Sequence, residues 1–73
     1  MMESLEWYYE EKLKGKTPRQ IQREIRNLKR EIRRLETVVA NPKAYPEEWS
    51  ICPDPQVQLE MYRLYLNMAI CRI

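Results

Sequence analysis

TPRQIQREIRNLKREIRRLETVV, residues 17–39, is the stretch that decides the fold. Its apolar positions Ile21, Ile25, Leu28, Ile32, Leu35 and Val39 recur at spacings of 4, 3, 4, 3 and 4, the seam of an amphipathic helix that pairs along its length. Thr17 can cap the helix, Pro18 fits its first turn, and Gln20 stands where a capping box requires it. Asn41-Pro42 supplies the stop. A helix over about residues 18 to 40 follows.

Downstream, Pro42, Pro46, Pro53 and Pro55 exclude a continuous helix through the connector. Pro46-Glu47-Glu48-Trp49 has the form of a single helical turn, with Tyr45, Trp49 and Ile51 expected to cover the end of a bundle. Asp54-Pro55 repeats the signal of a cap followed by proline, and predicts a helix over about residues 55 to 72. That helix carries two apolar stripes. One is Val57, Met61, Leu64, Met68 and Cys71; the other is Leu59, Tyr62, Leu66, Ala69 and Ile73. An apolar surface over most of the circumference calls for cover on several sides.

Upstream, Ser4 as cap and Gly15 just past the end delimit a short helix over about residues 5 to 14. Its apolar residues Leu5, Trp7, Tyr8, Tyr9 and Leu13 make a ragged face, and a helix this short needs a surface to dock on.

The fold class expected is therefore all-α: a helical hairpin of residues 18–40 and 55–72 with an amino-terminal helix at 5–14, in one domain. One narrow seam and one short helix leave part of the last helix uncovered, and about 600 Å² of extra apolar burial is worth about 15 kcal/mol before association costs. A homodimeric four-helix bundle is the expected assembly, with Leu59, Tyr62, Leu66, Ala69 and Ile73 at the interface between copies. Isoleucine at 25 and 32 with leucine at 28 and 35 also suits a parallel two-stranded coiled coil, the competing arrangement. The layout is similar to Rop-type dimers of helical hairpins in architecture alone, with no shared motif, so no residue role is carried across.

Charge is segregated along the 73 residues although the net is only +2. Residues 1–11 hold four glutamates and no base, while residues 12–34 hold ten bases against Glu24 and Glu31. Within the long helix Arg19, Arg23, Arg26, Arg30 and Arg33 fall on one line opposite the apolar seam, with Arg34 beside it. Arginine fills six of the seven basic positions between 19 and 34, and its planar fork grips phosphate bidentately. RNA or DNA is the partner this stripe suits. The bland alternative is a solvated face, with the glutamates of the first helix, Glu3, Glu6, Glu10 and Glu11, consuming part of the field. A protein-binding adaptor, inhibitor or assembly subunit using Trp7 and Tyr8 is the rival reading.

Chemistry is not expected. The chain has no histidine and two cysteines, Cys52 and Cys71, so neither a zinc site nor a Cys-His nucleophile can be assembled. Glu10-Glu11 and Glu47-Glu48 are adjacent on helices and point apart, and no base stands ready for Ser4 or Ser50. Cofactor and catalytic residues are expected to be absent. A helix over residues 56–71, about 24 Å long, is expected to keep the two thiols too far apart to bridge within the chain. With no apolar run of spanning length and no leader, a cytoplasmic setting away from membranes is expected.

Overall fold

A computed structural model describes residues 4–72, and these contain helices and no strand. Helix α1 spans Leu5–Tyr8 and runs directly into a π-helical turn, Tyr9–Leu13. Helix α2 spans Pro18–Ala40. A 3-10 turn, Pro42–Ala44, leads to the short helix α3, Pro46–Trp49, and helix α4 spans Pro55–Ile70. Among the described residues no helix is long and apolar enough to cross a membrane.

The starts of the helices are set by local chemistry. Ser4 accepts from the Trp7 amide at 3.1 Å and Asp54 from the Val57 amide at 3.0 Å. Thr17 and Gln20 form a reciprocal box: the Gln20 amide donates to Thr17 Oγ1 at 3.2 Å and the Thr17 amide to Gln20 Oε1 at 2.9 Å. Each bond satisfies an amide that the first helical turn leaves unpaired. Gly15 turns the chain between the first two helices with φ +74°, a conformation that costs glycine little.

The π-helical turn resolves the ragged face of the first helix. Tyr8 and Leu13 stand five positions apart, which a regular α-helix would rotate by about 140°. The Lys14 amide instead bonds the Tyr9 carbonyl, five residues back, at 2.8 Å, and the widened turn lets both side chains enter the core. Tyr8 and Leu13 are each 3% exposed.

Two apolar clusters hold the molecule together. In the first, Tyr8 and Leu13 join Ile21, Ile25 and Leu28 of α2 and Tyr65 and Ala69 of α4. In the second, Ile32 and Leu35 of α2 meet Leu59 of α4. The start of α2 thus packs against the end of α4, and the later turns of α2 against its beginning, so the two helices lie antiparallel. The 23 residues of α2, about 35 Å long, set the long axis of a body 40 × 19 × 14 Å. Leu35 and Ala69 are completely buried.

Four features depart from the expectations above. The stripe expected to face a second copy packs within the chain: Leu59 and Ala69 are buried, and Tyr62 and Leu66 lie half-buried against the clusters. The physical reason is that α1 folds back beside α4, stacking the Tyr8 ring on that of Tyr65 with centroids 4.2 Å apart, so α1 and α2 together cover that side. Ile73 of the same expected interface lies outside the described residues. At the end of α2 it is Val38 that is buried, at 1% exposed, and Val39 only half so. Trp49 folds onto that flank and its indole donates to the Val38 carbonyl at 3.2 Å. Of the expected end cover, Trp49 alone packs in, whereas Tyr45 and Ile51 are 36% and 53% exposed. Finally α4 stops at Ile70 rather than at 72, and the Arg72 amide tightens the end by bonding the Ala69 carbonyl at 3.0 Å.

Candidate nucleic-acid interface

Helix α2 presents its surroundings with four sides. Its apolar seam meets α4. One flank is covered twice, by α1 near Glu24 and by α3 near Arg34 and Val38. The face opposite the seam is left free, and the arginines occupy it. Arg19, Arg23, Arg26, Arg30, Arg33 and Arg34 are all exposed. From Arg19 to Arg33 the line runs about 21 Å along a straight helix.

Several carboxylates near this line are engaged elsewhere, although Glu11, which shares a shallow groove with Arg23, makes no ion pair among the described residues. Glu24 is half-buried and accepts the hydroxyl proton of Tyr8. Glu36 pairs with Arg63 of α4 at 3.2 Å. Glu31 pairs with Arg34 at 3.2 Å, and Glu48 of α3 takes the same guanidinium at 3.0 Å. Among the glutamates of the first helix, Glu10 pairs with Lys14 at 3.2 Å, and neither Glu6 nor Glu11 makes an ion pair among the described residues. Glu3 lies outside them. Arg19, Arg23, Arg26, Arg30 and Arg33 consequently have no ion-pair partner among the described residues.

Arg34 differs from the other five arginines in being ion-paired. Its partial burial opposes the charge, but Glu31 and Glu48 outweigh that and raise its pKa. Clamped between an acid of its own helix and one of the connector, it ties α3 to α2. The arginines left without an ion pair are the other five.

The tyrosines behind the ridge are protonated over the neutral range. Burial pushes the Tyr8 phenol far above its ordinary value, and the Glu24 carboxylate beside it adds to the effect. Burial likewise raises the Tyr62 pKa, reinforced by Glu31.

Of the aromatic pair expected to serve a protein partner, Tyr8 is withdrawn because its ring and hydroxyl are both used in the core, while Trp7 remains 39% exposed. Nothing in the helical spacing of α1 signals this difference, since it depends on the π-helical turn. Cys52 and Cys71 are both exposed free thiols. Ser4 Oγ serves as a helix cap and Ser50 Oγ donates to the Glu47 carbonyl at 2.7 Å. Among the described residues no three His, Cys, Asp or Glu side chains come together in a way that would hold a metal ion. Comparison with protein families, with curated proteins and with solved structures finds no match to this chain.

Proposed function

We propose that the protein is a non-enzymatic nucleic-acid-binding factor, accessory or regulatory in role, that holds a phosphate backbone along the arginine ridge of α2. The observation that carries this reading is the line of five exposed arginines that make no ion pair among the described residues. A merely solvated face would be expected to lace its bases to acids of the same helix. Here five guanidinium groups without ion pairs stand along about 21 Å, and each can fork onto a phosphate. The finer architecture belongs to the same reading: the helical hairpin of α2 and α4 pairs with a second copy into a homodimeric bundle, and the ridge is presented twice. Two exposed free thiols suit the reducing cytoplasm.

Retention on heparin and on a random-sequence polynucleotide, followed against salt, tests the reading. Binding to a duplex should fall with a slope of about −4.5 in log affinity against log salt, since each phosphate contact contributes about −0.9. Replacing Arg23, Arg26 and Arg30 together by glutamine should flatten the slope by about 3. No retention at low salt overturns the proposal.

Trp7 favours a second reading, a protein-binding adaptor, inhibitor or assembly subunit, because it places an indole in solvent beside the apolar rim of α1. Capture of one defined protein by the wild type but not by Trp7→Ala, with nucleic-acid retention absent, would select it.

A further inference from the structure

A shallow groove of about 250 Å³ lies between the π-helical turn and α2, at the amino-terminal end of the arginine line. Lys12 and Lys16 line it from the side of the first helix and the turn that follows, and Gln20, Arg23 and Asn27 from α2. Each side also contributes a carboxylate, Glu11 from the first helix and Glu24 from α2. Three cations against two carboxylates leave the groove a net charge of only +1, so its chemistry is not that of the ridge. The ridge offers positive charge alone, which suits phosphate. The groove offers N–H donors from lysine, arginine and carboxamide together with carboxylate and carboxamide acceptors, and the edge of a nucleobase needs both kinds of partner. Its volume falls below the roughly 300–1,000 Å³ of a pocket for a drug-sized ligand, and leaves room for something of the size of one base. Arg23 belongs to the ridge and to the groove alike. Trp7, 39% exposed, stands four positions before Glu11, about one turn back along the same side of the first helix. It brings an aromatic face to that side, the kind of surface on which an unpaired base stacks.

We infer that the nucleic acid held by the ridge is single-stranded, with one unpaired base seated in the groove beside Arg23 and a neighbouring base stacked on Trp7. The inference rests on the ridge reading proposed above and names the form of its ligand. Arg23 holds the phosphate at which the strand leaves the ridge, and the base on that nucleotide turns into the groove. There Glu11 and Glu24, which repel a phosphate, accept from the amino groups of a base, and the carboxamides of Gln20 and Asn27 both donate and accept. A paired base has its edge inside the duplex and must be unpaired and unstacked before it can enter such a groove. A single strand presents its bases at no such cost, and a basic track with an aromatic beside it is the combination by which single strands are held.

The experiment compares three ligands of equal length by fluorescence anisotropy with the full chain at one salt concentration: a mixed-sequence single strand, its duplex, and an abasic strand carrying the same phosphates. The base-bearing single strand should bind at least about tenfold more tightly than either of the others, the order of gain that a stacked base gives. Asn27→Ala and Trp7→Ala should each weaken its binding about five- to tenfold, leave the abasic strand unaffected, and leave circular dichroism unchanged. Asn27 is exposed on α2, so its replacement spares the core and carries the test if Trp7→Ala loosens the first helix. Equal affinity for single strand and duplex, or for the base-bearing and abasic strands, overturns the inference and leaves the ridge reading standing. A preference for the single strand that survives Asn27→Ala undiminished does the same. Binding to none of the three overturns both.

Discussion

Tyr8 and Glu24, sixteen residues apart in the chain, are joined by a hydrogen bond from the phenol to the carboxylate, and through it the first helix is fixed to the second. The same ring lies flat on Tyr65 of α4, at an interplanar angle of 5°, and Tyr65 meets Tyr62 edge to face with centroids 5.8 Å apart. One side chain of α1 thus touches both long helices, α2 and α4. Its bond also holds Glu24 off the arginine ridge, so core packing and surface charge are coupled at this point.

Alkaline pH should therefore loosen the fold. Burial and Glu24 raise the folded-state pKa of Tyr8 above the ordinary 10.0, and Tyr62 shifts the same way. The folded chain then keeps phenolic protons that the unfolded chain has released. Stability is at its full value below pH about 10 and falls as the pH rises beyond it, by about 1.4 kcal/mol per pH unit for each such group. Denaturant unfolding at a series of pH values checks this. Tyr8→Phe should lower neutral-pH stability by about 1–2 kcal/mol through loss of the bond to a charged acceptor, and should make the alkaline decline shallower.

Leu35 is completely buried where α2 crosses the start of α4. Leu35→Ala should cost about 2–5 kcal/mol, the usual range for a leucine emptied from a core. A domain this small is stabilised by only a few kcal/mol, so the variant should be largely unfolded at room temperature by circular dichroism. Leu64→Ala, at an exposed position, should stay within about 0.5 kcal/mol of the wild type in dilute solution.

Helix caps give a graded test of local chemistry. Thr17→Ala and Asp54→Ala should each lower stability by about 1 kcal/mol. Asp54→Asn keeps an acceptor for the Val57 amide and should be nearly neutral. Equal losses for Asp54→Ala and Asp54→Asn in urea titrations would contradict the capping role.

Arg30 and Arg34 lie one turn apart and should behave differently. Arg30→Gln should reduce the salt slope of polynucleotide binding by about 0.9 without altering stability. Arg34 is held by Glu31 and Glu48, a surface network worth less than about 1 kcal/mol. Arg34→Gln should leave the salt slope unchanged and raise amide exchange in α3.

Periodicity and caps alone determine the course of α2 and the start of α4. Ile21 to Leu35 mark the buried face of α2 because a 3.6-residue helix has one side that a 4-3 spacing can follow, and Thr17, Asp54, Gly15 and the prolines mark the boundaries because their effects reach only a few residues. The line of arginines is legible for the same reason. Tertiary structure alone decides which of the two stripes on α4 is covered, since a wheel gives the angle between Leu59 and Leu64 but not the direction from which α1 arrives. That direction depends on the π-helical turn that brings Tyr8 and Leu13 to one face, and on the stacking of Tyr8 against Tyr65, partners 57 positions apart. The same distant packing takes Glu24 and Arg34 out of the charge pattern. Local spacing carries no record of such encounters, because they are set by where separate helices meet in space.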